Sequence, residues 1–238
     1  MNNQYKRIVL KLSGEALKDK NGEIYDPKML ENVGEIISSL VKKGIEIGVV
    51  IGGGNIWRGK LASSISMHQA NADYMGMLAT VMNAMALANA ISNKGVKAKV
   101  LSSLDIPECG SYYTRERAIR LLDKKVVTIF AGGTGNPYFT TDTCAALRAL
   151  EIGADVILMA KNGVEGVYTD DPRVNPEAKL IKETTYKEIV DKKLGVMDLT
   201  AASMLDGKGI KAYVFNMDEK ANFEKIIQGE HIGTFIKE

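Results

Sequence analysis

The chain has 238 residues, 45% hydrophobic and 25% charged, with a net charge of +2. That is ordinary globular composition, long enough to bury a core without disulfide or metal staples. It offers no basic stripe for nucleic acid, no uninterrupted run of ~18 apolar residues for a membrane span, and no apolar leader after "MNNQYKR". A soluble cytoplasmic protein that binds neither nucleic acid nor membrane is expected.

In chain order, "RIVLKL" (7–12) reads as a short strand ending at Ser13-Gly14, and 28–44 as an amphipathic helix stopped by Gly44. "IEIGVVIGGG" (45–54) is an apolar strand closed by glycines. Residues 69–93 form a long helix rich in Met and Ala, and "VKAKVL" (96–101) a strand. A helix over 114–125 starts at Thr114, a strand covers 126–133, and a helix over 140–153 opens at a Thr/Asp cap and stops at Gly153. "ADVILMA" (154–160) is the next strand, followed by a loop with Pro172 and Pro176. Helices near 186–192, 198–208 and 219–228 and strands over 211–217 and 233–236 complete the chain. Strands alternating with helices predict right-handed crossovers and a largely parallel open sheet. Near-continuous apolar strands such as "VVTIF" predict helices on both faces, a three-layer α/β/α sandwich. The loop at 161–180 is the best candidate for a boundary between lobes.

The two cysteines, Cys109 and Cys144, have no metal or C-x-x-C spacing. They read as reduced, buried or half-buried thiols, with one disulfide left open. His68 and His231 stand without evident partners and read as surface or packing residues.

Strand after strand ends in glycine: "KLSG", "VIGGG", "FAGGTGNP", "MAKNGVEG". Ligands of open α/β sheets bind at the carboxyl ends of strands. Glycine there lets the backbone approach a ligand, and unpaired N–H groups attract anions. Four such loops point to a ligand with several phosphates, although any one of them could be a plain tight turn. Residues 54–61, G-N-I-W-R-G-K-L, stop short of a P-loop because Leu61 stands where a Mg²⁺-binding hydroxyl is needed. No loop has the G-x-G-x-x-G spacing of a dinucleotide site after the first strand. Lys11, Arg58, Asp142 and Lys161 lie among these glycines. By pattern alone Lys11 could face solvent, Asp142 could be a first-turn carboxylate, and Lys161 a solvated loop-end lysine.

"KLSGEAL", "VIGGGNIWRG", "ADYMGMLATVMNA", "AGGTGNPYFTTDTCAALRA", "GVYTDDPRVNP" and "VMDLTA" together resemble the bacterial uridylate kinases of the amino-acid kinase superfamily, from Lys6 to about Thr234. The resemblance implies an α/β/α fold with an acceptor-binding N-terminal lobe (about 1–155) and an ATP-binding C-terminal lobe (about 156–238). It implies transfer of the γ-phosphoryl group of ATP to UMP in pyrimidine nucleotide biosynthesis, with Mg²⁺ carried on ATP and no protein metal site. ATP would lie over Lys11, Leu12, Ser13 and Gly14, near Gly54 and Arg58, with Asn162, Tyr168 and Asp171 lining the adenosine site. UMP would be held by Gly53, by Asp73 toward the ribose, and by Thr134, Gly135, Asn136, Pro137, Tyr138, Phe139, Thr140 and Thr141 around base and phosphate. Lys11 and Lys161 would neutralise the moving phosphoryl group, and Asp142 would orient them. The near-P-loop is then a coincidence of spacing.

Family members are hexamers, so a homohexamer is expected, and the Met75, Met77, Met82 and Met85 stripe reads as core or subunit interface. UTP can occupy the UMP site and is an expected inhibitor. Many relatives carry "EGFGI" where this chain has "NGEIYD" (21–26), so strong activation by GTP is not expected. Two alternatives stand beside this reading. A kinase for a small carboxylate would lack "TGNPYFTTD". A nucleotide-binding regulator without turnover would lack Lys11, Asp142 or Lys161, and all three are present.

Overall fold

A computed structural model describes residues 3–19, 21–170, 174–175 and 177–237. Strand β1 (Arg7–Leu12) runs into a 3₁₀ turn at Gly14–Leu17. Helix α1 (Pro27–Lys42) starts where the Asp26 carboxylate accepts the N–H of Lys28 and Pro27 sets the first turn. It stops at Gly44, whose φ of 91° no side chain tolerates easily. After β2 (Glu46–Ile51) come the short α2 (Lys60–Ser64) and the long α3 (Gln69–Ser92). Strand β3 (Ala98–Ser102) and the two-residue β4 (Ser111–Tyr112) precede α4 (Arg115–Asp123), capped by Thr114.

Strand β5 (Val127–Ala131) leads to α5 (Thr141–Ile152), capped by Thr140 and ended by Gly153 at φ 63°. Strand β6 (Val156–Lys161) follows, then a small hairpin of β7 (Val167–Tyr168) and β8 (Leu180–Ile181). The chain closes through β9 (Glu183–Thr185), α6 (Tyr186–Lys192), α7 (Leu199–Leu205), β10 (Lys211–Asn216), α8 (Ala221–Ile227) and β11 (Thr234–Lys237).

Among the described residues, one nine-stranded sheet has the order β4-β3-β5-β2-β1-β6-β10-β11-β9. It is parallel except where β11 runs against β10. The predicted α/β/α architecture is therefore present. The sheet runs unbroken past the 161–180 loop, which carries the β7–β8 hairpin. Strands β4, β7, β8 and β9 and helix α2 lie outside the elements that the sequence predicts: at two to five residues they are too short to show a hydrophobic period.

Side chains alternate along β1. Ile8, Leu10 and Leu12 pack with α1, α3 and α8, while Val9 packs with α4, α5 and α7 on the other face. Lys11, two residues after Val9, shares the face that α5 covers and is only 8% exposed. The pattern reading that let it face solvent is corrected here, because both faces of this central strand are covered. Strand β1 sits between β2 and β6, with the sheet growing outward on each side. That is a topological switch point, where loops at the strand ends splay apart and open a crevice. The ends of β1, β2 and β6 deliver Ser13-Gly14, Gly52–Gly54 and Lys161 to it.

Helix α3 is long and apolar enough to cross a membrane by length and composition alone. In the fold one side of it packs on α1, β3 and β5, burying Val81, Ala84, Leu87 and Ile91. Its other side leaves Tyr74, Met75, Leu78, Met82 and Met85 exposed, whereas Met77 is buried. Both cysteines are free, Cys144 fully buried and Cys109 partly so. His68 caps α3 by accepting the N–H of Ala70, and His231 packs beside Tyr213 and Phe235.

Candidate active site

Two clefts meet at the carboxyl end of β1. The first, about 270 Å³, is lined by Gly53, Gly54, Asp73, Met77, Thr80 and Phe130, and by Gly133, Thr134, Asn136, Phe139, Thr140 and Thr141. The second lies on the far side of β1. One part is lined by Ser13, Glu15, Lys18, Lys161, Asn162 and Asp218. A roomier part, about 810 Å³, continues past Lys161 to Gly166, Tyr168, Asp170, Lys193 and Val196.

Between them stands an ion pair. Lys11 Nζ lies 2.7 Å from Asp142 Oδ1, and both side chains are largely buried. Asp142 is the second residue of α5, at the positive end of that helix. Lys161 ends β6, the strand next to β1, and makes no ion pair or hydrogen bond with another described side chain. Its ammonium pKa is held below the usual lysine value, first by burial and then by the charge of Lys11, while Asp142 works the other way. Two lysines around one carboxylate leave net positive charge at the junction, suited to an anion that spans both clefts.

The glycine loops do what their composition allows. Among the described residues, no acceptor within the chain takes the N–H of Gly53 or Gly54. A Cβ at Gly53 would sit 2.7 Å from Gly76 O and 2.8 Å from Ala79 Cβ, so α3 presses directly on this turn. Behind it Asn55 and Asn83, both buried, exchange reciprocal amide hydrogen bonds of 2.7 and 3.1 Å. Asn83 also donates to Gly52 O at 2.7 Å, and Asn55 to Ile24 O at 3.0 Å. This pair fixes the loop to α3 and to the "NGEIYD" segment.

Arg58 is exposed and forks onto the Glu15 carboxylate at 2.9 and 2.8 Å, across the mouth between the loops. An anionic ligand would have to compete with Glu15 for it. The Leu12 side chain lies in the core and its carbonyl accepts Gly52 N–H at 3.0 Å, so it serves the loops through its backbone. Asp73 accepts from Gln69 Nε2 at 2.7 Å and from the Tyr138 N–H at 2.8 Å. Its second contact holds Tyr138 at a left-handed φ of 70°. Gly135, Pro137 and Tyr138 form the outer side of that loop, while Thr134, Asn136, Phe139, Thr140 and Thr141 turn toward the cleft. Asn162 Nδ2 and the Gly163 N–H both reach the Asp218 carboxylate. Tyr168 lines the roomier cleft. Asp171 lies outside the described residues.

Sequence reasoning missed two carboxylates. Asp198 caps α7 by accepting the Ala201 N–H, and also accepts the hydroxyls of Thr140 and Thr143. It thereby ties the start of α5, and so Asp142, to α7. Asp218 closes the strand-end loop after β10. Their signals were present only as an Asp before a helix and an Asp after a strand, which many structural residues share. Among the described residues no three His, Cys, Asp or Glu side chains cluster as a metal site.

The sequence model of the amino acid kinase family matches residues 6–216. The chain is 51% identical over its full length to a uridylate kinase of Mycoplasma capricolum, covering all of that protein. It is 45% identical over 98% of its length to a uridylate kinase of Pediococcus pentosaceus, covering 97% of that protein. Its fold superposes on the crystal structure of UMP kinase from Bacillus anthracis with a TM-score of 0.95 at 40% identity, covering 98% of this chain and 96% of the other.

Proposed function

The chain belongs to the amino acid kinase family, and from that premise we propose that it transfers the γ-phosphoryl group of ATP to UMP, giving ADP and UDP. It is a phosphotransferase acting on a nucleoside monophosphate, as its full-length relatives are. The observation that carries the reading is the Lys11–Asp142 pair at the meeting of two clefts, with Lys161 beside it. Phosphoryl transfer asks the protein to align two phosphates and to stabilise spread negative charge. A UMP phosphate is already ionised, so no protein base or nucleophile is required.

In this reading the N-terminal lobe, about 1–155, holds UMP in the first cleft. Gly53 and Thr134–Thr141 surround it, with Asp73 toward the ribose. ATP occupies the second cleft, its phosphates over Lys11, Ser13 and Gly14 and near Gly54 and Arg58. Its adenosine lies toward Asn162 and Tyr168. The C-terminal lobe, about 156–238, supplies most of that cleft, and the β1 turn supplies the rest. Lys11 and Lys161 meet the transferring group, and Asp142 orients Lys11. Mg²⁺ fits this donor set as an ion carried on ATP and water oxygens, which is its habit, since the carboxylate at the junction already has Lys11 as partner. Bound there, it neutralises charge on the β- and γ-phosphates. The exposed apolar side of α3 supports a homohexamer built through that face. UTP competing at the acceptor cleft and a cytoplasmic role in pyrimidine nucleotide synthesis follow from the same reading.

The test is ADP release from Mg-ATP with UMP, CMP, dUMP and several amino acids, with and without GTP. Turnover is expected with UMP, with at most weak stimulation by GTP, from a preparation that light scattering reports as six chains. Binding of UMP without turnover of any acceptor would transfer the reading to a nucleotide-binding regulator.

Lys161 adds a pH dependence. Its pKa is depressed in the free protein and is expected to rise again beside bound phosphates. The alkaline limb of kcat/KM for ATP reports the free enzyme, and that of kcat the complex. The first is therefore expected at lower pH than the second. Lys161→Arg, which does not titrate, should remove the early limb. Coincident limbs in the unmodified protein would discard the assignment.

A further inference from the structure

The loop between β5 and α5 opens with Gly132, Gly133 and Gly135 at φ 73°, 57° and 84°. Glycine permits that path but does not hold it. Something else must fix the loop, because Thr134 and Asn136 beyond it line the acceptor cleft. One anchor comes from α3, where Thr80 Oγ1 accepts the Gly132 N–H at 2.8 Å.

The second anchor is a buried cation that the transfer chemistry does not use. Arg148, on α5, is 3% exposed. Its guanidinium lies 3.7 Å from the centre of the Tyr113 ring. One arm pairs with the Glu151 carboxylate, which also accepts the Tyr113 hydroxyl. The other arm donates to Ser103 Oγ at 2.8 Å and to Gly133 O at 3.3 Å. Ser103 Oγ in turn donates to the same Gly133 carbonyl at 2.9 Å. Two donors thus converge on one carbonyl of the acceptor loop, from the side away from the cleft.

We propose that Arg148 is a positioning residue for the phosphate acceptor: with Ser103 it pins Gly133, and so sets where Thr134 and Asn136 meet the base. A buried ion network is a weak source of stability, because apolar side chains that replace the whole of it often cost the fold little. A charge fork aimed at a loop carbonyl is better explained by the need to fix that loop. The inference rests on the reading of the first cleft as the UMP site.

The experiment compares UMP and ATP affinities, by calorimetry, for the full-length protein, Arg148→Met and Ser103→Ala. Both variants are expected to raise the UMP Kd and KM by about 2- to 10-fold, the range for one lost hydrogen bond, while the ATP Kd stays unchanged. UMP should also lose ground against CMP. The double variant should be worse than the two single effects combined, by up to about 100-fold, because it alone leaves the Gly133 carbonyl without a donor. A purely structural role would instead lower ATP and UMP affinity together, and that result overturns the proposal. So does unchanged UMP affinity in both variants. If Arg148→Met does not fold, Ser103→Ala decides alone. Failure of the unmodified protein to bind UMP would overturn the acceptor reading itself, and the proposal with it.

Discussion

Lys11→Ala is expected to lower kcat by about 10²- to 10³-fold, the loss typical of removing a preorganised charge from a transition state. UMP should still bind, because the lysine acts mainly on charge that develops between the two clefts. The geometry sharpens this expectation. Lys11 is buried, and its ammonium is 2.7 Å from Asp142. Deleting it removes one cation from the junction and leaves a largely buried carboxylate without its partner, which repels the incoming phosphates. Lys11→Arg is not expected to restore the rate, since a planar fork does not fit a site built around a point charge. Asp142→Ala should be non-additive with Lys11→Ala, as groups acting as one unit are. Single-turnover rates together with calorimetric UMP binding separate the outcomes. A kcat near that of the unmodified protein would take Lys11 out of the mechanism. Loss of UMP binding with kcat preserved would make it a ground-state contact.

Gly14→Ala is expected to be as damaging by a steric route. A Cβ there would lie 2.5 Å from Gly52 O, 2.8 Å from Gly54 N and 2.7 Å from Asn55 Oδ1. Two of these are backbone atoms, and the asparagine is locked by Asn83. Nothing can step aside, so the turn after β1 must move away from the turn after β2. Those turns are the proposed cradle of the ATP phosphates, and displacement by about 1 Å can cost ~100-fold in rate. The predicted result is a fall of that size in kcat/KM for ATP, with a smaller change in UMP affinity. Thermal unfolding of the same variant reports how much of the strain reaches the fold. An ATP kcat/KM close to that of the unmodified protein would mean the two turns need not touch.

Local chemistry decides much of this protein within a few residues of sequence. Thr140 caps a helix and Gly153 ends it because hydroxyls accept orphan N–H groups and glycine takes positive φ wherever they occur. Strand ends, glycine turns and the alternation that makes a covered parallel sheet are legible for the same reason. So are the names of the charged residues at the strand ends, since the resemblance rests on contiguous motifs.

Only the assembled structure decides partners. Whether Lys11 faces water depends on α5, which follows some 130 residues later. Arg58 meets Glu15 across 43 residues, Thr140 meets Asp198 across 58, and Asn162 meets Asp218 across 56. Arg148 looks like one more helix arginine until the ends of β3 and β5 bring Ser103 and Gly133 beneath it. A residue's propensity is written in its own side chain and its near neighbours. Its electrostatic and hydrogen-bonding role is set by whichever distant groups the assembled fold brings within about 3 Å of it, where such bonds form.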